Sequence, residues 1–207
     1  KDLPTSEDAG LNPMSPYALH KLIGEQYCKL FSELYGMETV SLRYFNVYGE
    51  NQNIGGAYSL VIGIFINQKL NNLPLTIRGD GEQKRSFSDI DDCLFCLDKL
   101  ITDPNIKSEI VNIGPDEDFV TINQLFEKIS NKLKFNKGAV SQPDRPNEVK
   151  YANCSSDKAR KILNYNTSVN LDQSLDKLIK FIKKRGPKAF EYNYEIEILN
   201  EKTPKTW

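Results

Sequence analysis

The sequence predicts an α/β fold in which helices cover a largely parallel sheet and a smaller lobe packs beside it. Strand patterns and amphipathic helix patterns alternate along the chain, which is typical of strands joined by helical crossovers. The later strands are shorter, and this favours a smaller second lobe. With 207 residues, of which 39% are hydrophobic and 27% are charged, the chain can bury one good core or two small ones.

The first predicted elements are a helix and a strand. Ser15 caps the helix, and Pro16 fits its first position because proline there loses no hydrogen bond. Apolar residues then recur at helical spacing until Gly36 ends the helix. The β-branched and aromatic residues of Glu38 to Phe45 predict a strand, and Asn46 to Gly56 a polar loop.

The elements that follow are predicted by the same criteria. Tyr58 to Asn71 is a second helix and Leu75 to Arg78 a short strand. Gly79-Asp-Gly81 is a tight turn that leads to another extended piece around Phe87.

The second half of the chain alternates in the same way. Thr121-Ile-Asn-Gln124 is a capping box, so a helix begins there. In chain order the predictions are a helix over Ile90 to Ile101, a buried strand over Glu109 to Gly114, the capped helix to about Lys134, a turn at Asp144 to Asn147, a short helix capped by Ser155 and ending at Leu163, and a last amphipathic helix over Leu171 to Lys184.

Composition argues against several classes of function. The net charge of -1 leaves no broad basic field of the kind that nucleic-acid or membrane-surface binding needs. The longest apolar stretch, Leu60 to Ile66, is too short to cross a bilayer, and no signal peptide pattern follows Lys1. The sequence therefore predicts a cytoplasmic protein that binds neither nucleic acid nor membrane.

The cysteines do not predict a metal site. Of the four, Cys93 and Cys96 form a CxxC, whereas a zinc site would want a second pair or histidines, and His20 is the only histidine. The CxxC lies within an amphipathic helical pattern, so we expect two small buried thiols that pack in the core. A redox role would require a strand and a turn before it.

Tyr17 and Lys21 form a candidate acid-base pair. Their i, i+4 spacing places the phenol and the ammonium on one face of the first helix, where the positive charge can act on the hydroxyl. A phenol ionises near pH 10, so a base at neutral pH also needs partial desolvation and a second cation, such as an oxidised nicotinamide ring. On spacing alone, an ordinary surface pair is the commoner outcome.

Several motifs in order make the pair more specific. Together they resemble the extended short-chain dehydrogenase/reductase family of nucleotide-sugar epimerases and dehydratases, over almost the whole chain. Ser86 replaces the acidic residue of one family motif, and Glu148 stands where many members have Asp. The segments are Ser15 to Lys21, similar to SPYxxxK; Leu42 to Gly49, similar to LRYFNVYG; Gly79 to Arg85, similar to the GDGxxxRDF phosphate loop; Arg145 to Lys150, similar to RPxE/D; and the tail segments Arg185 to Lys188 and Lys202 to Trp207.

The resemblance implies a particular fold and division of the chain. It implies the C-terminal part of a Rossmann-like doubly wound parallel sheet with a smaller α/β substrate-binding lobe. Residues 1–56 would be the remainder of the NAD-binding domain, with the YxxxK helix. Residues 57–207 would be mainly the substrate-binding lobe, interleaved with the last strands and helices of the Rossmann-like domain.

The resemblance also assigns roles to residues. Tyr17 would take a proton from a sugar hydroxyl, Lys21 would steady the phenolate and hold the nicotinamide ribose, and the backbone of Phe45 would approach the nicotinamide of NAD. Without the resemblance, residues expected on the substrate side also have ordinary structural explanations: a turn residue, core residues or solvated arginines. They are Asn46, Leu60, Val61, Thr76, Arg78, Arg85, Arg145 and Glu148.

Two parts of the family's site are missing from the sequence. It contains no Gly-x-x-Gly-x-x-Gly turn to hold the dinucleotide phosphates, and the catalytic Ser or Thr that polarises the reacting hydroxyl is expected upstream of Lys1. We therefore expect the 207-residue chain alone to bind NAD poorly and to turn over nothing.

The leading interpretation is a UDP-sugar 4-epimerase that acts through a 4-keto intermediate. A nucleotide-sugar 4,6-dehydratase or decarboxylase is the enzymatic alternative, and a catalytically silent nucleotide-sugar binding or regulatory protein is the alternative from another class. The resemblance further implies a homodimer through the Tyr17-bearing helix, with Cys28, Phe31 and Tyr35 in the contact. Intramolecular packing of these three residues is the other interpretation.

Overall fold

The computed structural model of the protein describes residues 3–56, 59–115, 119–144 and 149–190. Helices and strands alternate through this part of the chain. The helices are α1 (Pro16–Tyr35), α2 (Val61–Leu70), α3 (Ile90–Thr102), α4 (Ile122–Leu133), α5 (Asp157–Leu163) and α6 (Leu171–Arg185). The strands are β1 (Val40–Tyr44), β2 (Val47–Tyr48), β3 (Leu75–Arg78), β4 (Lys84–Arg85), β5 (Ser88–Asp89), β6 (Glu109–Ile113), β7 (Val120–Thr121), β8 (Ala139–Gln142) and β9 (Tyr151–Ala152).

The chain folds into two compact units, each assembled from three separate stretches of sequence. The first unit consists of Lys1–Val47, Ser86–Glu117 and Asn153–Ser168. The second unit consists of Tyr48–Arg85, Asp118–Ala152 and Val169–Trp207.

A parallel strand pair is the centre of the first unit. β1 lies beside β6 in parallel register, from Val40 opposite Glu109 to Tyr44 opposite Ile113. Parallel pairs need both faces covered, and apolar side chains of β6, α3, α5 and the segment just after α5 form a buried cluster there. Its members are Cys93, Cys96, Val111, Ile113, Ala159, Leu163 and Tyr165.

The second unit combines two small sheets with three helices. β3 pairs with β8 in parallel, while β4 is antiparallel to β7 and parallel to β9. α2 contacts α4, α6 and β3, so its apolar side chains are buried on several sides. Both units are therefore mixed α/β with parallel strand pairs, which confirms the predicted fold class.

The predicted helix boundaries are mostly confirmed. Ser15 caps α1 through its side chain, and Gly36 ends the helix in the left-handed conformation at φ 63°. Thr121 and Gln124 form the reciprocal capping box of α4, with bonds of 3.0 and 2.9 Å. These ends follow from local chemistry, which is why the sequence shows them.

Other local predictions were wrong. The second helix begins at Val61, because Leu60 is extended (ψ 151°) and so is not part of the helix; the predicted first residue, Tyr58, lies outside the described residues. The N-cap position of α5 is Ser156, one residue after the predicted Ser155. The Ser155 hydroxyl still accepts the N–H of Asp157, the first residue of the helix, at 3.3 Å and donates to Asp157 Oδ2 at 2.8 Å. Strands β2, β7, β8 and β9 were not predicted, since two to four residues are too few to show a period of two.

The CxxC lies where the pattern predicted, inside the helix α3. Cys93 and Cys96 are both buried and free. Burial raises the pKa of the Cys93 thiol to about 12 and that of Cys96 to about 11. Both therefore stay protonated at neutral pH and act as small packing residues.

Candidate active site

The first turns of α1 bring Tyr17 and Lys21 together. Ser15 Oγ accepts a hydrogen bond from the backbone N–H of Ala18 at 3.1 Å and so fixes the start of the helix. The Lys21 ammonium nitrogen then lies 5.4 Å from the centroid of the Tyr17 ring. The positive end of the helix lies at the same place and favours negative charge there. The phenol is open to a ligand, since Tyr17 is 70% exposed.

A partly buried ion pair joins α1 to β1. Arg43 donates through Nε and Nη2 to the two carboxylate oxygens of Glu25, at 2.8 and 2.6 Å, and through Nη1 to the carbonyl of Glu7 at 3.0 Å. The hydrogen bond to Glu25 raises the pKa of Arg43. Glu25 lies one turn after Lys21 and Arg43 two residues before Phe45, so the pair ties the acid-base helix to the strand that leads to Phe45.

Phe45 and Asn46 follow β1 and are held by their backbone. Phe45 donates its N–H to the carbonyl of Ile113 at 3.1 Å, which extends the β1–β6 ladder by one bond. Asn46 has a positive φ of 48°, and its Nδ2 donates to the carbonyl of Ser86 at 2.8 Å. The carboxamide at the end of this parallel strand is therefore fixed in a position where α/β folds place ligands.

Three of the predicted substrate residues lie at the start of α2 and on β3, in the second unit. Leu60 is the exposed N-cap residue of α2, and Val61 is the first residue of that helix. Thr76 on β3 pairs twice with Gln68, through its N–H at 3.2 Å and through its hydroxyl oxygen at 2.9 Å. The Thr76 hydroxyl therefore keeps its own hydrogen for a ligand but already accepts one bond.

The turn between β3 and β4 requires its glycines. Gly79 and Gly81 have φ values of +65° and +74°, and a side chain at either would collide with Asp144 or Asn123. Asn123 Nδ2 also donates to the carbonyl of Asp80 at 3.0 Å and to Glu82 at 2.6 Å. The turn is thus tightly held, and it joins two strands.

The two predicted arginines of this region flank the turn. Arg78 is the last residue of β3, and Arg85 is the last residue of β4. Arg85 Nη1 donates to the carbonyls of Lys84 and Lys150, at 2.9 and 3.3 Å. Arg145 and Glu148 lie outside the residues that the structure describes, as do the motif segment Lys202 to Trp207 and most of the turn predicted at Asp144 to Asn147.

The described residues fit one end of a nicotinamide dinucleotide. The exposed phenol of Tyr17 and the ammonium of Lys21 can both hydrogen-bond ribose hydroxyls. The Phe45 carbonyl accepts a bond from Ser88 Oγ at 2.6 Å, which leaves it a second lone pair for a ligand. The Gly79 turn lies between two strands, not between a strand and a helix, so it does not fit the dinucleotide phosphates.

Among the residues that the structure describes, no group of His, Cys, Asp and Glu side chains could hold a metal ion. In the same part of the chain, no helix is long and apolar enough to cross a membrane.

Comparison with known proteins decides the family. Residues 1–114, more than half of the chain, match the model of the NAD dependent epimerase/dehydratase family. The chain belongs to this family. The resemblance carried by the ordered sequence motifs is thereby confirmed.

Members of the epimerase/dehydratase family are similar to the chain in sequence and in structure. A relative from Methanocaldococcus jannaschii, provisionally named a UDP-glucose 4-epimerase, is 36% identical over 181 residues, which are 87% of this chain and 57% of the relative. The UDP-glucose 4-epimerase of Thermotoga maritima, solved with UDP-glucose, is 30% identical with a TM-score of 0.83 over 89% of this chain and 59% of that one.

The UDP-glucuronic acid 4-epimerase of Bacillus cereus, solved with UDP-glucuronic acid and NAD, is 31% identical. Its TM-score is 0.83 over 89% of this chain and 58% of that one. The chain thus spans little more than half the length of these relatives. The likeness confirms the Rossmann-like α/β fold.

Four residues that organise the site were not predicted as part of it. Glu25 and Arg43 pair across 18 positions, and Ser86 and Ser88 bond to the Phe45–Asn46 segment across 40 and 43. No local pattern reveals such pairs, because each depends on which elements become neighbours in the fold. The available signals were that Arg43 lies inside one family motif and that Ser86 occupies the acidic position of another.

Proposed function

We propose that this chain carries the acid-base pair and substrate contacts of an NAD-dependent UDP-sugar 4-epimerase. The observation that carries the proposal is the position of Tyr17 and Lys21, one turn apart at the exposed start of α1. Membership of the NAD dependent epimerase/dehydratase family supports it, as do relatives of 30–31% identity that are named UDP-sugar 4-epimerases.

The proposed chemistry begins at the Tyr17 oxygen. As a phenolate it accepts the proton of the sugar 4-hydroxyl while the Lys21 ammonium and the start of α1 stabilise its negative charge. NAD, when bound, supplies a reversible hydride acceptor for C4 of the sugar. After the 4-keto sugar has rotated, C4 takes the hydride back on its opposite face and Tyr17 returns the proton to the oxygen, so the configuration at C4 is inverted.

Lys21 and Phe45 would also hold the cofactor. The Lys21 ammonium donates to the nicotinamide ribose, and the second lone pair of the Phe45 carbonyl is available to the nicotinamide end. The proposal thus assigns Tyr17, Lys21 and Phe45 to NAD.

The remaining predicted residues would bind the nucleotide sugar. A nucleoside diphosphate carries about two negative charges, and the fork of a guanidinium matches such oxygens better than an ammonium does. Arg85 and Arg145 are proposed for the diphosphate, Glu148 for the ribose hydroxyls and Asn46 for the sugar-phosphate end. Leu60, Val61, Thr76 and Arg78 are proposed as lining residues.

Turnover by the natural full-length protein tests this function. The purified protein is incubated with NAD and, separately, with UDP-glucose, UDP-N-acetylglucosamine and UDP-glucuronate, and products are followed by proton NMR. We expect one of these sugars to convert to its C4 epimer. Loss of water to a 4-keto-6-deoxy sugar, or release of CO2, would instead establish the dehydratase or decarboxylase alternative.

A thermal-shift measurement separates the enzyme from the silent alternative. At a UDP-sugar concentration of 100 times its Kd, binding adds about 2.7 kcal/mol to the free energy of unfolding. A clear shift without any turnover would identify a nucleotide-sugar binding protein. Absence of both would overturn the proposed function.

We expect the 207-residue chain alone to be inactive. Its sequence has no glycine-rich strand-to-helix turn for the dinucleotide phosphates. Isothermal titration of the chain with NAD should therefore show weak binding at most. Tight NAD binding with robust turnover by the chain alone would contradict this expectation.

We also propose that α1 contacts a second copy of the protein. The helix has no buried residue, and its apolar side chains Leu19, Ile23, Tyr27 and Leu30 line an open groove beside the exposed Phe31–Tyr35 ring pair. Such an apolar face on a surface helix supports an interface.

Light scattering on Tyr35→Glu in the full-length protein tests this contact. We expect the mass to fall from dimer to monomer, whereas Ile101→Glu, at an exposed apolar position on α3, should leave a dimer. A monomeric wild-type protein would contradict this contact.

We propose a cytoplasmic location because the cysteine thiols are free and form no disulfide. All four cysteines are free, which is usual where glutathione keeps thiols reduced. Fractionation of the source cells should recover the protein with cytoplasmic markers, and recovery from an oxidising compartment would overturn this assignment.

A further inference from the structure

Ser88 contacts two successive carbonyl groups at the end of β1. Its hydroxyl donates to the carbonyl of Phe45 at 2.6 Å, and its N–H donates to the carbonyl of Asn46 at 3.3 Å. The residue is only 1% exposed, so both bonds lie away from water. Ser88 thus fixes the orientation of two neighbouring peptide groups.

The segment between β4 and β5 also holds the Asn46 side chain. Nδ2 of Asn46 donates to the carbonyl of Ser86 at 2.8 Å, and Ser86 is itself buried. Together with the bonds made by Ser88, this contact forms a bracket of three hydrogen bonds around Phe45 and Asn46, which we call the serine bracket.

The serine bracket surrounds a residue in the left-handed region. Asn46 has φ 48°, a conformation that asparagine adopts more readily than most residues with a side chain, though less readily than glycine. The two carbonyls that Ser88 binds belong to the peptide groups before and after this residue. The buried hydroxyl of Ser88 is the one side-chain group of the bracket that does not belong to Asn46.

The serine bracket also determines which atoms of Asn46 can meet a ligand. The bond to Ser86 uses one Nδ2 hydrogen and fixes the plane of the carboxamide. Among the described residues, the second Nδ2 hydrogen remains to donate to a hydroxyl or phosphate oxygen of a substrate, and Oδ1 remains to accept from a hydroxyl group.

We propose that Ser88 is a positioning residue for nucleotide-sugar binding, which holds the Asn46 carboxamide in place through the carbonyls of Phe45 and Asn46. The inference rests on the proposed function, in which Asn46 holds the sugar-phosphate end of the substrate. Ser88 itself touches no substrate. Its removal should therefore weaken substrate binding and leave the acid-base chemistry at Tyr17 intact.

The test measures Ser88→Ala, Asn46→Gly and their combination in the full-length protein with its UDP-sugar and NAD. We expect Ser88→Ala to raise KM for the nucleotide sugar about tenfold, the effect of losing one buried hydrogen bond, with kcat within about twofold. Because Gly tolerates a positive φ but has no carboxamide, Ser88→Ala should add nothing to KM in the Asn46→Gly background.

Two further variants separate positioning from simple stability. Ser88→Thr keeps the hydroxyl and should restore KM to near the wild-type value. Ser130→Ala removes a buried hydroxyl that has no partner in the described residues and should change neither KM nor kcat. The positioning role would be overturned if Ser88→Ala lowered kcat equally in the wild-type and Asn46→Gly backgrounds. It would also be overturned if the effects of the two substitutions on KM were fully additive.

Hydrogen exchange distinguishes a failed inference from a failed function. In Ser88→Ala, the amides of residues 45–47 and 88 should exchange at least about tenfold faster than in the wild type. Faster exchange with unchanged KM would show that the bracket is structural only. If the wild-type protein binds no nucleotide sugar at all, the proposed function fails, and the substrate role of Ser88 fails with it.

Discussion

The guanidinium of Arg43 donates two hydrogen bonds to the carboxylate of Glu25, at 2.8 and 2.6 Å, and so joins the helix of Tyr17 to the strand before Asn46. Their side chains are 21% and 10% exposed, so the pair is largely removed from water. Both oxygens of Glu25 are used, which is the geometry that makes such pairs strong and directional. The acid-base helix and β1 therefore share one rigid frame.

We expect Glu25→Gln to be strongly destabilising. It leaves the Arg43 charge largely buried without its counter-ion, and breaking such a pair costs about 3 kcal/mol. Urea unfolding measures the loss. The matched control is Glu38→Gln, which breaks an exposed pair with Lys107 (60% and 55% exposed) and should cost no more than about 1 kcal/mol. Equal losses in the two variants would show that the Glu25 pair has no special role.

The cysteines should differ sharply in reactivity. Burial raises the pKa of Cys93, Cys96 and Cys154, to about 12, 11 and 12, so these thiols are both protonated and covered. In the monomeric Tyr35→Glu variant, Cys28, which is partly exposed on α1, should be the one thiol that reacts rapidly with a disulfide reagent at pH 8. Mass spectrometry locates the label, and rapid labelling of Cys93 or Cys96 would contradict their packing role.

The stability of the first unit should depend on the ionisation of Asp92. Burial raises the pKa of this carboxyl, although Ser168 donates to its Oδ1 from both N–H and hydroxyl. A raised pKa in the folded state favours the protonated form, so stability is highest below the pKa of the unfolded state and falls as pH rises through the folded value.

Asp92→Asn should remove this pH dependence while it keeps an oxygen for Ser168. We expect the Tm of the variant relative to wild type to increase between about pH 4 and pH 7. Thermal unfolding across this range provides the measurement. A Tm difference that stays constant, or that falls with pH, would contradict the sign of the shift.

The sequence predicts the parts of the fold that depend on local chemistry. The ends of α1 and α4 are examples, since Ser15, Gly36 and the Thr121–Gln124 box act within a few residues of themselves. The bounds of β3 were predicted as Leu75 to Arg78 and are confirmed. Strands of two residues, such as β4, form only because a neighbour pairs with them, so no pattern in the sequence marks them.

The contacts of the candidate site also divide into those that the sequence predicts and those that depend on the fold. Tyr17 and Lys21 are recognisable because one helical turn separates them, and the family motifs point to Asn46 and Arg85. The Ser88 contact to Phe45 and the Glu25 contact to Arg43 join distant parts of the sequence. The first contact lies beside the pairing of β2 with β5, and the second depends on the packing of α1 against β1. Single-sequence patterns do not report such packing.

Arg85→Lys should weaken nucleotide-sugar binding. The substitution keeps the charge but loses the planar fork that can bind two diphosphate oxygens at once, and we expect KM to rise about tenfold. The control is Arg160→Lys, at an arginine on α5 that pairs with Asp157. Steady-state kinetics of the full-length protein provide the measurement. An unchanged KM for Arg85→Lys would remove Arg85 from the substrate contacts.

The most direct test of the acid-base role of Tyr17 is Tyr17→Phe in the full-length protein, measured beside Tyr27→Phe, which changes an exposed tyrosine farther along the same helix. Removing the Tyr17 hydroxyl should lower kcat for C4 epimerisation at least about 100-fold while the Kd for the UDP-sugar stays within about threefold. Tyr27→Phe should retain its turnover. A Tyr17→Phe protein whose kcat stays close to that of the wild type would contradict the role of Tyr17 as the group that accepts and returns the proton.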